Sequence, residues 1–210
     1  MQMGIKFLLV FITLLFPLAA QERQKVAVCI PAVDASSESV QSLIESGRRH
    51  FCRLHDVKYF ILSDVSPSME GDDIEWLSAG VARPIKIYNA LQSNKALLDE
   101  YNYLFIIDPK MSFVASVGNE VFGQLIAVQK VNSTIKKPIY SSRFYGGRPE
   151  AVHDFLKIGC RQPDAANLSE EELINRCFKE KPPTRSLDCS YAYPENHQLG
   201  DAKKIIESRG

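Results

Sequence analysis

The chain has 210 residues, of which 45% are hydrophobic, and its 25 basic and 25 acidic side chains give no net charge. This length is sufficient for one domain with a substantial core. The basic residues form no stripe or tail, which argues against nucleic acid as a partner and against a charge-driven role at a membrane surface.

The first twenty residues have the pattern of a secretory signal. Lys6 precedes an apolar run over residues 7–16, and small residues follow it up to Ala20. This order predicts a cleaved signal peptide over residues 1–20 and a protein that is soluble in the secretory lumen or outside the cell, without strong membrane association. The run is shorter than the roughly 20 residues that span a bilayer, and an uncleaved type II membrane anchor is the main alternative.

After the signal, we expect a single domain over residues 25–195 and a polar tail over residues 196–210. Alternating strand and helix patterns fill this domain. In chain order they predict a buried strand at 26–30, a helix capped by Ser36 or Ser37, a strand at 59–62, a helix at 88–100, a strand at 103–107, a helix at 117–128, extended segments at 139–140 and 144–145, a turn at 146–147, a helix after Pro149 and a helix at 169–179.

This order predicts an α/β fold with a mostly parallel central sheet flanked by helices. Ligands of such sheets bind beyond the carboxyl ends of the strands. Asp108 follows the most apolar predicted strand and is therefore a candidate site residue.

Five cysteines are present, an odd number, and none has metal-ligand spacing. Cys29 and Cys52 lie in apolar surroundings and are predicted to be buried thiols. If a disulfide forms in the oxidising lumen, we expect it among the remaining three, which are Cys160, Cys177 and Cys189.

Two sequons begin at Asn132 and Asn167. In a lumenal protein, each is a predicted glycan acceptor.

Several segments, in the same order, resemble glycosyltransferase family 6, which includes the blood-group A and B transferases and α-1,3-galactosyltransferase. The resemblance covers most of residues 25–193. Its segments are the helix end at 44–51, the strand at 55–64, the strand and motif at 101–113, the Phe-Tyr-Gly-Gly run at 144–147, and Glu171 and Asn175 with Lys181-Pro182 beyond.

The resemblance implies a GT-A-like, nucleotide-sugar-binding fold and a retaining hexosyltransferase. Such an enzyme moves galactose or N-acetylgalactosamine from a UDP-sugar donor to an oligosaccharide or glycolipid acceptor in an α-1,3 linkage. The alternative is a catalytically inactive, secreted homologue that acts as a glycan-binding or structural protein.

In this family an Asp-x-Asp pair holds a divalent ion, and Mn²⁺ is the cofactor that the resemblance implies. Here the pair reads Asp108-Pro109-Lys110. One carboxylate beside an ammonium is a poor metal site, so we expect weak or absent metal binding. Lys110 has two interpretations: its ammonium replaces the metal near the donor diphosphate, or it forms a local ion pair with Asp108.

Glu171 matches the family's catalytic glutamate, and a carboxylate suits oxocarbenium-like chemistry at the sugar carbon. The alternative is structural, because Ser169 and Glu172 have the spacing of a capping box and acidic residues favour the first turn of a helix. A glycan on Asn167, only four positions earlier, would crowd an acceptor cleft.

The remaining donor contacts also come from the resemblance. Backbone groups of Ala32 and Val33 are predicted to contact uracil, although this chain has no aromatic side chain there to stack on the base. Ser141 and Ser142 precede the positions that select the donor sugar, and their small side chains leave room for an N-acetyl group.

Overall fold

The computed structural model describes residues 23–31, 36–62, 83–93, 99–130, 138–187 and 206–208. The predicted signal peptide, Ala32, Val33, Asn132 and nearly all of the predicted tail lie outside these residues. In the part that is described, no helix combines the length and the apolar character needed to cross a membrane.

Eight strands and four α-helices make up the described fold. In chain order they are β1 (Lys25–Pro31), α1 (Ser37–His50), β2 (Asp56–Leu62), α2 (Arg83–Ser93), β3 (Tyr103–Ile107), β4 (Met111–Phe113), β5 (Leu125–Lys130), β6 (Ile139–Gly147), α3 (Pro149–Cys160), α4 (Glu170–Glu180), β7 (Arg185–Leu187) and β8 (Ile206–Ser208).

Six strands form one mixed sheet in the order β2-β1-β3-β6-β5-β7. β1 pairs in parallel with both β2 and β3, and β5 pairs in parallel with β7. β6 is antiparallel to both of its neighbours, β3 and β5. β4 and β8 form a separate antiparallel pair. The predicted α/β class with a mostly parallel sheet flanked by helices is therefore confirmed.

Both faces of the sheet are buried, which explains the apolar runs of its strands. On one face, β1 side chains such as Val26 and Val28 pack with Leu43 of α1. On the other face, Ala27 and Cys29 of β1 pack in a cluster that contains side chains of α2, α3 and α4. The sheet is the middle layer between α1 on one side and the other three helices on the other.

The ends of the predicted helices follow from capping. Ser36 caps α1, because its hydroxyl accepts a hydrogen bond from the Ser39 N–H. Ser169 caps α4 in a complete capping box with Glu172. Pro149 occupies the first turn of α3 as predicted.

Two predicted helices differ from the structure. α2 is described over Arg83–Ser93 and so begins before the predicted start at residue 88; residues 94–98 lie outside the described part. The helix predicted at 117–128 is wrong, because this stretch holds a 3₁₀ turn at Asn119–Val121 and then enters β5. The apolar run of β5 is buried on both faces of the sheet. In such a run every position is apolar, so its periodicity does not distinguish a strand from a buried helix.

The predicted turn at Gly146-Gly147 is also wrong, since both glycines end β6. A Cβ atom on Gly146 would lie 2.4 Å from the Leu104 carbonyl oxygen of β3. Gly147 has a φ of +150°, and a Cβ there would lie 2.1 Å from the carbonyl oxygen of Gln124. The glycines are therefore needed for close approach of backbones within the sheet, rather than for a turn.

Candidate functional site

The candidate site lies at the carboxyl ends of β1 and β3. In the sheet, β2 lies on one side of β1 and β3 lies on the other. The strand order therefore reverses between β1 and β3. Open α/β sheets bind ligands in the crevice at this point. Asp108 follows β3 directly here, and its N–H donates to the Arg143 carbonyl of β6 at 2.9 Å.

Asp108 is buried, and described residues engage both of its carboxylate oxygens. Oδ2 lies 2.7 Å from Nη1 of Arg83, the first residue of α2. Oδ1 accepts the backbone N–H of Lys110 at 2.8 Å. The predicted local ion pair between Asp108 and Lys110 is thus replaced by a pair with Arg83, and Lys110 contributes its backbone instead.

A second carboxylate joins this pair. Oε2 of Glu170, the first residue of α4, lies 3.5 Å from Nε of Arg83. The three side chains are largely buried, with exposed fractions of 25% for Arg83, 10% for Asp108 and 22% for Glu170. We call these three residues the Arg83 cluster. It joins the start of α2, the end of β3 and the start of α4.

Sequence reasoning missed two members of this cluster. Arg83 falls before the predicted start of its helix and belongs to no motif in the sequence. Glu170 is not among the predicted site residues, although the spacing of α4 contains a signal for it. The residues three, four, seven and eight positions after Glu170 are all buried, which places Glu170 on the inward face of the helix. They are Leu173, Ile174, Cys177 and Phe178.

Burial raises the pKa of Glu170 to about 7, and Arg83 opposes this by stabilising the charged form. Asp108 and Glu171 raise this pKa further by repulsion, whereas Arg143 lowers it. Burial alone would lower the pKa of Arg83, but Glu170 and Asp108 raise it above its ordinary value, so the guanidinium stays charged. The site therefore holds one fixed positive charge and one carboxyl that titrates near neutrality.

Tyr145 of β6 completes the buried side of the site. Its side chain is fully buried, and neither its hydroxyl nor Oε1 of Glu170 has a hydrogen-bond partner among the described residues. Burial raises the pKa of Tyr145 well above its ordinary value, and the charge of Glu170 raises it further. Buried polar atoms without partners are rare in native proteins, so this pair needs an explanation.

The cluster does not fit the divalent ion that the family resemblance implies. A metal needs free carboxylate oxygens, whereas those of Asp108 already accept from Arg83 and Lys110. The Arg83 guanidinium would also face any cation bound there. Among the described residues, no three acidic, histidine or cysteine side chains group as a metal site.

Glu171 lies on α4 beside the cluster, close enough for its charge to affect the pKa of Glu170. Its backbone carbonyl accepts from Nδ2 of Asn175 at 2.8 Å. The same amide accepts the N–H of Tyr140 at 2.7 Å and donates to its carbonyl at 2.8 Å. Asn175 therefore links α4 to β6 close to Glu170 and Glu171.

The two predicted donor-site serines lie on β6 just before Arg143. Ser141 is buried, and its hydroxyl accepts the Arg143 N–H at 3.1 Å. Ser142 is half-buried. Since Arg143 bonds Asp108 through its carbonyl, the fold brings this segment next to the Arg83 cluster.

The predicted glycan acceptor and the predicted disulfide cysteines differ in their surroundings. Asn167 is exposed at the end of a 3₁₀ turn, Ala165–Asn167, where a glycan is sterically accessible. Cys160 and Cys177 carry free thiols, so the predicted option of a bond between them is wrong, and Cys189 lies outside the described residues. Cys29 is buried as predicted, whereas Cys52 is only half-buried.

No protein-family model matches the chain, and no curated protein matches it.

Proposed function

We propose that the chain is a retaining hexosyltransferase that holds a UDP-sugar without a metal ion, in the secretory lumen or outside the cell. The observation that carries this proposal is the Arg83 guanidinium, which two carboxylates fix at the point where the strand order reverses. Galactose or N-acetylgalactosamine as the donor sugar, and an oligosaccharide or glycolipid acceptor, come from the family resemblance.

The chemistry of the cluster supports this proposal. A planar guanidinium matches the oxygens of a diphosphate, and a fixed cation stabilises the charge that develops on a leaving diphosphate. The carboxylates of Asp108 and Glu170 suit sugar hydroxyls, which donate hydrogen bonds to them. Glu171 remains the proposed group at the reacting sugar carbon. Lys110, Ser141, Ser142, Ala32 and Val33 remain proposed donor contacts.

One observation favours the alternative of an inactive, glycan-binding homologue. The two carboxylates neutralise Arg83, so the cluster carries a net negative charge when both are ionised. A diphosphate binds such a cluster less tightly than a free guanidinium. In this alternative the cluster holds α2, β3 and α4 together and performs no chemistry.

Saturation-transfer NMR with UDP-galactose, recorded in EDTA and in Mn²⁺, tests the proposal. We expect transfer to the ligand under both conditions, together with UDP release when an oligosaccharide acceptor is added. Asp108→Asn should weaken the transfer, because Asp108 is the close partner of Arg83 at 2.7 Å, against 3.5 Å for Glu170, and the loss of a fixed position for the guanidinium outweighs the loss of one negative charge. Glu180→Gln is the matched control, since it removes one carboxylate at the exposed far end of α4.

The outcomes separate the two functions. Absence of UDP-galactose binding in both conditions would refute the enzyme proposal. Binding without UDP release over a broad panel of acceptors would favour the inactive homologue.

A further inference from the structure

Two buried polar atoms at the candidate site lack partners among the described residues. They are the hydroxyl oxygen of Tyr145 and Oε1 of Glu170, and both are inaccessible to solvent. A buried polar atom without a hydrogen bond costs about 1–3 kcal/mol. Their chemistry is complementary, because the phenol donates a hydrogen bond and an ionised carboxylate only accepts.

The other carboxylate oxygen of Glu170, Oε2, lies 3.5 Å from Nε of Arg83. Arg83 also pairs with Asp108 at 2.7 Å, so one guanidinium serves two carboxylates. When Glu170 is ionised, the cluster has a net charge of −1. When Glu170 carries a proton, the net charge is zero, and Arg83 has only Asp108 as a competing anion.

We propose that a proton on Glu170, with the Tyr145 hydroxyl behind it, sets how tightly the Arg83 cluster binds a diphosphate group. This inference rests on the proposed function. Tyr145 acts as a positioning residue. Its hydroxyl and Oε1 make no hydrogen bond to each other in this structure; when Glu170 loses its proton, the hydroxyl turns to donate to Oε1 and so stabilises the ionised carboxylate, which binds the diphosphate less well.

The surrounding charges agree with this role. The charged groups that act on Glu170 come from four parts of the fold. They are Arg83 at the start of α2, Asp108 after β3, Arg143 on β6 and Glu171 on α4, while the charge of Glu170 in turn acts on Tyr145 of β6. Burial is the largest effect, and it raises the pKa of Glu170 to about 7, so the proton is exchanged in the physiological range.

The test is calorimetric titration with UDP-galactose in EDTA between pH 6 and pH 8.5. This probe is chosen because its diphosphate is esterified at both ends and lacks the second phosphate ionisation near pH 6. We expect affinity to fall roughly tenfold across this range, since one negative charge is added near the anion. Glu170→Gln should bind tightly at every pH, because its amide stays neutral.

Tyr145→Phe gives a readout that a purely structural residue would not change. Without the hydroxyl, the ionised form of Glu170 loses a donor, so the midpoint of the pH profile should move to higher pH. Tyr140→Phe, on the same strand, is the matched control and should leave the midpoint unchanged.

Any one of three results would overturn the inference. The first is a wild-type affinity that does not depend on pH, and the second is a pH dependence of affinity that persists in Glu170→Gln. The third is a midpoint of the pH profile that is the same in Tyr145→Phe as in the wild type. UDP-galactose binding that is present but flat with pH leaves the proposed function intact, whereas no binding at any pH overturns both proposals.

Discussion

The two ends of the central sheet each hold a buried ionisable side chain, in opposite surroundings. At the carboxyl ends, Glu170 lies beside a guanidinium, a second carboxylate and a phenol. At the amino end of β2, His55 is 1% exposed and meets the ring edges of Phe51 and Phe122, with centroids 5.6 and 4.8 Å away. Neither of its ring nitrogens has a hydrogen-bond partner among the described residues.

This difference distinguishes the candidate functional site from a packing site. Burial favours the neutral form in both places, so it raises the pKa of Glu170 and lowers that of His55. Glu170 belongs to an ion-pair cluster, because Arg83 pairs both with it and with Asp108. His55 is surrounded by aromatic rings, with Arg23 and Glu120 as more distant charges, and is best explained as a neutral core residue.

The largest expected effect comes from removing the central cation. Arg83→Met leaves two buried carboxylates without a counter-charge and should lower the free energy of unfolding by about 3 kcal/mol or more in urea denaturation. Arg176→Met is the control, because Arg176 and Asp164 form a pair at 2.7 Å with side chains 40% and 43% exposed. An exposed pair contributes less than about 1 kcal/mol. Equal losses in both variants would contradict the importance of burial at the cluster.

Glu170 should reduce stability as the pH rises. Its pKa is about 7 in the folded protein and 4.5 ordinarily, so the folded state binds more protons than the unfolded state between these values. The free energy of unfolding should therefore fall between pH 4.5 and pH 7, by at most about 3 kcal/mol. Glu170→Gln should remove this fall. An unchanged pH dependence in the variant would place the titrating group elsewhere.

His55 should have a smaller effect, with the opposite sign. Because its pKa is lower in the folded protein than the ordinary 6.5, the unfolded state binds more protons below that pH. Stability should decrease as the pH falls below about 6.5. His55→Leu should remove this acid loss and change stability at pH 7 by less than about 1 kcal/mol, measured by urea denaturation. A large loss at pH 7 would indicate that the imidazole makes a strong polar contact.

Much of this fold was predictable because local signals agree with it. The Ser36 cap and the apolar face of α1, the buried run of β3, and the capping box of α4 each predict the element that is present. The helix predicted at 117–128 failed because its apolar run is buried on both sides of the sheet. Gly146-Gly147 failed because the reason for glycine is the approach of a neighbouring strand, which no local pattern reveals.

The site was only partly predictable, for a related reason. Asp108 followed from its position at the end of a buried strand, as the general behaviour of parallel sheets requires. Its partner Arg83 is 25 residues away in sequence, and only the packing of α2 against the sheet brings them together. Glu170 could have been predicted, because the spacing of the buried residues in α4 places it on the inward face.

Calorimetric titration of UDP-galactose at pH 6, in EDTA and then in Mn²⁺, tests most directly whether Arg83 takes the place of a metal. We predict equal affinities in the two buffers, and weaker binding in both for Asp108→Asn. Binding that requires Mn²⁺, or the complete absence of binding, would contradict this account.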